Sequence, residues 1–323
     1  IFLNNTEFMS GFDYRNGWMG RCHCPSCRKA FYEGFQEEIP EEGDLDSPAA
    51  QKYRRFQAEA VEAYRQKLLA LKRMKPDICI TMIDLEPCEA GTHHHSSGNP
   101  LDNSPYMALS GAKLAAASYP KSFRRTTTVD FVDLTYRHAA VSPWMQQLRV
   151  WESISNGGNA DYYVIGRLDT QPDRSAHAAV KEAFRYFASQ EEEYREVKPF
   201  AEILLVKSRR RLDEVLSSSG KDDPAEYMGW LRILVEKHFA FNCVYDSALS
   251  RICFEDYKAV ILPDIGLLSE EILSKLVSYV GSGGILIASG HSGLNAGSDF
   301  RRCLGIKKID GIDCEFSSAY FKI

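Results

Sequence analysis

At 323 residues, 44% hydrophobic and 26% charged, the chain is long enough to organise two hydrophobic cores and does not depend on disulfides for stability. A net charge of -5 lacks the basic excess of a nucleic-acid binder, and the one basic run, Lys207 to Arg211, has no interleaved aromatic residues. No stretch approaches the ~18 uninterrupted apolar residues of a membrane span, and none reads as a secretory leader. The expected partners are therefore neither nucleic acid nor membrane.

In chain order, Ile1 to Asn4 reads as a short strand, followed by a loop and three crowded cysteines. Helical spacing runs from Tyr53 to Met74, with Phe56, Ala60, Tyr64, Leu68 and Leu71 on one face. DICITMI, from Asp77 to Ile83, reads as a buried strand, and Glu86 to Pro105 as a loop rich in Gly, Ser, His and Pro. A helix near Tyr106 to Ala117 precedes a strand at Val129 to Leu134, then a helix from Pro143 to Ser155 and a strand from Asp161 to Gly166. The next helix, Arg174 to Tyr194, carries a 3.6-residue stripe of Ala176, Ala179, Val180, Ala183, Phe184 and Phe187. Four strand–helix units imply a parallel sheet with helices outside, half of an eight-fold barrel. A half barrel leaves open edges, and a chain that starts in a strand without Met implies missing upstream sequence.

After Pro199 the pattern restarts. FAEILLV, FNCVYD, KAVILP and GGILIASG read as strands, with helices at Ala225 to His238 (Leu231 and Leu234 inward) and over SEEILSKLVSYV, where Ser269 is the N-cap. The predicted organisation is residues 1–196 and 197–323, the second an open α/β unit.

In parallel α/β folds the chemistry collects where strands end and loops enter helices. Those stretches offer Asn4, Asn5, Glu7, Asp84, Glu86, His93 to His95, Asp133, Arg137, His138, Arg167, Asp169 and Asp173. A mouth lined with carboxylates, His, Arg and aromatics suits carbohydrate, whose hydrolysis needs two carboxyl groups flanking the scissile bond. Most such loop residues are ordinarily just solvated. The GHSG turn at Gly290 to Gly293 lacks the second glycine of a nucleophile elbow. The adjacent histidines His93 to His95 cannot all face one ion, and a metal-dependent hydrolase built on them is the weakest alternative.

Of nine cysteines, Cys79, Cys88, Cys243, Cys253, Cys303 and Cys314 are scattered, and Cys79 and Cys243 sit in apolar runs where a thiol packs as a small hydrophobe. That usage favours a reducing, cytoplasmic setting. Cys22, Cys24 and Cys27 form C-x-C-x2-C, which can hold three positions of a tetrahedral ion. Free thiols are the bland alternative. A redox pair is disfavoured because no preceding strand sets Cys24 at a helix N-terminus.

CHCPSCRKAF at 22–31, LRVWESISNGGNADYYVIGRLD at 148–169 and FEDYKAVILPDIGLLSEEILSKLVSYVGSGGILIASG at 254–290 together resemble glycoside hydrolases related to the family-42 β-galactosidases. Among these, the closest likeness is to a group of hypothetical glycosyl hydrolases carrying a β-galactosidase trimerisation domain. The resemblance implies a TIM barrel whose first strands lie upstream, so that 1–196 is its C-terminal half. It implies a flavodoxin- or amidotransferase-like trimerisation module over 197–323, and a homotrimer. It also implies a structural zinc held by Cys22, Cys24 and Cys27, with a fourth cysteine upstream. The family's acid is a Glu in an Asn-Glu pair, where this chain has Asn4-Asn5-Thr6-Glu7. Its nucleophile is a Glu ending the seventh strand, where VDFVDLTYR offers Asp133. The resulting expectation is Glu7 or Glu86 as general acid, Asp133 as nucleophile or base, and Asn4, Asn5, Arg137, His138, Arg167 and Asp169 contacting sugar. The alternative is a catalytically inactive sugar-binding or assembly protein of the same fold.

Overall fold

The computed structural model describes residues 11–12, 18–41, 48–78, 90–94, 105–120, 124–132, 138–164, 166–195, 200–208, 225–266, 268–290, 292–293 and 296–306. Two short antiparallel strands, β1 (Gly11–Phe12) and β2 (Trp18–Gly20), lead into α1 (Pro25–Phe35) and the long α2 (Pro48–Met74). α1 and α2 pack through an aromatic cluster in which Phe31 stacks on Phe35 at 4.9 Å and meets Phe56 edge-on at 5.5 Å, with Tyr53 beside them. The expected stripe on α2 holds at Phe56 and Leu68, but Tyr64 and Leu71 are 37% and 45% exposed. α1 covers the opening turns of α2, so a continuous apolar face on that helix is not continuously buried.

A three-stranded sheet follows, in the order β3-β4-β5 and parallel throughout: β3 (Ala90–His94), β4 (Arg124–Val129) and β5 (Asn159–Tyr163). Its crossovers are α3 (Met107–Ser118) and α4 (Pro143–Ser155). α4 starts where Pro143 supplies a preset φ at the first turn and the Ser142 hydroxyl accepts the Met145 N–H at 3.3 Å. α5 (His177–Ser189) and the single-turn α6 (Glu191–Tyr194) divide what the spacing reads as one helix. α5 buries Ala183, Val180 and Phe187 against Val150 of α4, with Trp151 packed on Tyr186 and Phe187 at 4.8 and 4.6 Å.

Two expectations are corrected here. β4 is RRTTTV, five residues upstream of the strand expected at Val129 to Leu134. Its threonines look polar in sequence but are almost wholly buried, and their hydroxyls are partly absorbed by β5: Thr128 donates to the Asp161 carbonyl at 3.1 Å. β-Branched residues at the centre of a sheet serve as core once their hydroxyls find partners. Downstream, Phe131 leaves the sheet and bridges antiparallel to Ala140. The second correction is β3, which lies inside the expected loop Glu86 to Pro105 and pairs residue for residue with β4, from Ala90 opposite Arg124 to His94 opposite Thr128. Pairing with a neighbour, not local propensity, makes that strand. The strand expected at Ile1 to Asn4 lies outside the described residues, as does 79–83 of the strand expected at Asp77 to Ile83, while its first two residues instead belong to a turn after α2, with the Ile78 N–H donating to the Lys75 carbonyl at 3.0 Å.

The second sheet runs β7-β6-β8-β9, also parallel: β6 (Ile203–Lys207), β7 (Phe241–Tyr245), β8 (Ala259–Pro263) and β9 (Ile285–Ser289). Strand alternation divides its core. Leu204, Val206, Val244, Val260 and Leu262 face α8 (Glu270–Gly281) and α9 (Ser298–Cys303). Leu205, Cys243, Tyr245 and Ile261 face α7 (Ala225–Glu236), whose Leu231 and Leu234 point inward as expected. The expected N-cap is also present, with Ser269 Oγ accepting the Ile272 N–H at 3.4 Å.

α3 takes part in both sheets. Leu114 and Ala115 join the core shared by α7 and the four-stranded sheet, while Ala112 lies over β4 and the start of β5. β7 is an edge strand, and α3 closes that edge with side chains. Lys113 Nζ donates to the Phe241 carbonyl at 2.8 Å, Ser118 Oγ accepts the Tyr245 N–H at 2.9 Å, and Ser110 shares a 2.7 Å bond with the Tyr227 hydroxyl. Arg251 in turn donates to the Ser118 carbonyl at 3.0 Å. On the other side, a Cβ at Gly158 would lie 2.4 Å from Thr126 Oγ1 and 2.9 Å from the Ser153 carbonyl, so only glycine fits where β5 starts. We therefore expect Ser118→Ala to cost about 1–3 kcal/mol by leaving the Tyr245 amide buried and unpaired. Gly158→Ala should cost about 1–3 kcal/mol by overpacking. Urea unfolding of each variant measures both.

Candidate functional site

Because β3, β4 and β5 are parallel, their C-terminal ends form one edge, and the loops leaving it define the candidate site. The end of β4 is the best-defined part. The Val129 carbonyl accepts from Gln146 Nε2 at 2.5 Å and from Arg149 Nη1 at 3.3 Å, both buried side chains of α4. Asp130 follows at once. Its amide donates to the Tyr163 carbonyl at 2.8 Å and its carbonyl accepts the Val141 N–H at 2.6 Å, closing the base of the loop that spans 131–140. Asp173 holds the same base from the other side, accepting the Ala140 N–H at 2.9 Å and the Ser175 N–H at 3.0 Å. Those amide bonds keep the Asp173 carboxyl below its ordinary range.

Asp130 is a functional-type residue that the sequence reading missed, because the strand was set five residues late. The Tyr162 hydroxyl donates to its carboxylate, and the His177 ring stands edge-on to Tyr162 at 5.8 Å with a buried Nε2 that has no hydrogen-bond partner. Burial pushes the Asp130 carboxyl up and holds the Tyr162 phenol well above its usual value. Yet Tyr162 packs with Val150, Val180 and Phe187, on the helix side of the sheet. Asp130 thus braces the strand end from behind. The opposite face carries Asp161, which accepts from Thr127 Oγ1 at 3.4 Å, and Tyr163, which packs edge-on to Phe131 at 6.1 Å.

Of the sequence-nominated residues, Asn4, Asn5, Glu7, Asp84, Glu86, His95, Asp133 and Arg137 lie outside the described residues. His138 is exposed at the base of the β4 loop. Arg167 and Asp169, beyond the end of β5, pair with each other: Arg167 Nε donates to Asp169 Oδ1 at 2.9 Å, with both side chains mostly exposed. Arg174 reinforces that turn by donating to the carbonyls of Gln171, at 3.1 Å, and of Asp169. Of the histidine run, His93 and His94 form the end of β3.

The three cysteines do converge. One sulfur from each of Cys22, Cys24 and Cys27 lies within 4.8 Å of the others, compatible with the ~3.8 Å sulfur separation around an ion with ligand bonds of about 2.3 Å. Cys24 is the N-cap of α1, and its Sγ accepts the Cys27 N–H at 3.4 Å. This corrects the expectation that Cys24 lacks a preceding strand and a helix N-terminus, since β2 ends four residues earlier. The amide bond of Cys27 lowers the Cys24 thiol, while burial pushes the Cys27 thiol up to about 12 without an ion. A cation would reverse that second shift, because thiols bind metals as thiolates. The cluster could therefore hold a metal, and among the described residues it supplies three ligands.

The described residues include no helix long and apolar enough to cross a membrane. No family model matches the chain, and no curated protein matches it. Solved structures do. The α-L-fucosidase isoenzyme 2 from Paenibacillus thiaminolyticus is 19% identical with a TM-score of 0.57, over 92% of this chain and 42% of that one. Gan42B, a GH42 β-galactosidase, is 16% identical with a TM-score of 0.64, over 88% and 54%. The β-galactosidase from Bacillus circulans sp. alkalophilus is 15% identical with a TM-score of 0.60, over 84% and 50%. The chain thus spans about half the length of these proteins. It shares its mixed α/β fold, with parallel sheets, with glycoside hydrolases that include family-42 β-galactosidases.

Proposed function

We propose that the chain is part of a glycoside hydrolase that cleaves an O-glycosidic bond, most simply of a β-galactoside, with paired carboxylates at the barrel mouth. The observation that carries this reading is the shared fold with two kinds of glycosidase over more than four-fifths of the chain. Residues 1–196 are read as the C-terminal half of a TIM barrel, and 197–323 as a flavodoxin-like trimerisation module. The strand order β7-β6-β8-β9, with helices on both faces, supports the second assignment.

In this reading Glu7 or Glu86 protonates the leaving oxygen. Asp133 either attacks the anomeric carbon or deprotonates a water, according to whether the carboxyl groups stand about 5 Å or ~6.5–9.5 Å apart. Asn4, Asn5, Arg137 and His138 bind sugar hydroxyls. Arg167 and Asp169 enter as a preformed pair, a donor fork beside an acceptor, suited to neighbouring hydroxyls. Alanine at both Glu7 and Asp133 should reduce hydrolysis across a panel of chromogenic glycosides by at least about a thousandfold, the scale lost when a catalytic carboxylate goes. Unchanged hydrolysis rejects the assignment. A second reading, a sugar-binding or assembly protein without catalysis, is favoured by one fact: the carboxylate directly at the β4 end, Asp130, is buried and bonded to Tyr162. Glycoside binding without turnover by the wild-type chain would select it.

Cys22, Cys24 and Cys27 are assigned a structural zinc, with thiolates as ligands and no part in the bond cleavage. Metal analysis should find one zinc per chain, lost in Cys24→Ser. Chelation should lower the thermal midpoint while leaving the turnover rate at low temperature unchanged. A metal-free wild type of equal stability would remove the zinc.

A further inference from the structure

Cys24 is the N-cap of α1, Pro25 takes the first helical position, and Cys27 follows within the first turn. The run is Cys-Pro-Ser-Cys, the two-residue spacing of thiol–disulfide exchange pairs. Spacing alone is a weak signal, and three structural features add to it. The sulfurs of Cys24 and Cys27 lie within 4.8 Å of each other, close enough for side-chain rotation to reach the ~2.05 Å of an S–S bond. Cys24 is exposed, while Cys27 is half-buried behind it. The Cys27 N–H donates to the Cys24 sulfur at 3.4 Å, and amides at a helix start favour negative charge on the sulfur they meet.

Cys22 is held differently. Its amide donates to the Tyr53 hydroxyl of α2 at 2.8 Å, which ties its backbone to the neighbouring helix. Arg28 donates to the His23 carbonyl at 2.7 Å and so keeps a guanidinium on the segment that carries Cys24. The three thiols thus divide into an exposed one at the helix start, a recessed one in the first turn, and a third outside the Cys-Pro-Ser-Cys unit.

We propose that Cys24 and Cys27 form a thiol–disulfide exchange site whose substrate is a small accessible disulfide of the glutathione kind. The Cys24 thiolate attacks one sulfur of that disulfide, its S–S bond breaks, and one thiol departs with the proton that Cys24 gave up. Cys27 then loses its own proton and attacks Cys24 Sγ, displacing the second thiol, which takes that proton. Two cysteines are oxidised to a disulfide, and one disulfide is reduced to two thiols. This goes beyond the glycosidase reading and does not depend on it. A metal ion and the disulfide need the same sulfurs, so the zinc-bound and oxidised forms exclude each other.

The experiment treats the full chain with glutathione disulfide, with a chelator present so that no metal holds the sulfurs. Free thiols are then alkylated in acid-quenched samples. Trypsin releases 22–28 as one peptide, CHCPSCR, that carries all three cysteines. It should lose two hydrogens and carry a single alkyl group, on Cys22. Three alkyl groups, a lasting glutathione adduct, or the single alkyl group on Cys24 or Cys27 would each overturn the proposal. The peptide should oxidise at least about tenfold faster from the folded chain than from the urea-unfolded chain, because the fold holds the sulfurs together. Equal rates overturn a built site. In Cys27→Ser the reaction should stop with one glutathione on Cys24, and an adduct on Cys22 instead counts against it. Should that variant fail to fold, the wild-type peptide decides alone.

Discussion

The constraint on which the rest of the structure depends is the need to close the β7 edge. An edge strand presents a row of backbone donors and acceptors that cannot be left dry and unpaired. Here the answer comes from a helix belonging to the other sheet. Lys113 and Ser118 of α3 satisfy the outward-facing carbonyl of Phe241 and amide of Tyr245, while Leu114 and Ala115 fill the space against Leu231 and Leu234. The opposite side of the same helix is pressed against β4 and the glycine that opens β5. One twelve-residue element therefore serves as crossover for one sheet and edge cover for the other. A polar stripe of Ser110, Lys113 and Ser118 along an otherwise Ala- and Leu-rich helix is the mark of that double duty.

That stripe shows what was legible in the sequence and what was not. The helix itself was legible within a residue at each end, as were α4, α8 and the strands β7 and β8, because their apolar periodicity is locally complete; β6 and β9 were legible as strands, with their starts read three and two residues early. The partner of each polar residue on α3 was not, since Phe241 and Tyr245 lie more than a hundred residues away. β4 failed for a different reason. Its three threonines read as surface residues until β5 and α4 supply partners for the strand, and the more apolar VDFVDL downstream drew the assignment instead. β3 carries no strand signal at all in AGTHH and exists by pairing with β4.

The cysteine cluster lies between these cases. Its spacing was sufficient to predict convergence, because C-x-C-x2-C at the start of a helix can hardly avoid bringing three sulfurs together. What the spacing did not carry was the role of Cys24 as N-cap of α1, which gives the three thiols unequal character. One is lowered by amide bonding and another raised by burial. A cation held there would level the thiols by binding all of them as thiolates.

The same logic orders the strand end where chemistry is proposed. Catalytic loops need a base that does not move, and β4 ends in a carbonyl gripped by Gln146 and Arg149, followed by Asp130, whose backbone ties to both Tyr163 and Val141. The Asp130 side chain adds a further anchor through Tyr162 on the helix side. A carboxylate committed in this way is a poor nucleophile but a good foundation, since it stiffens the backbone of the loop without occupying the face where a substrate would lie.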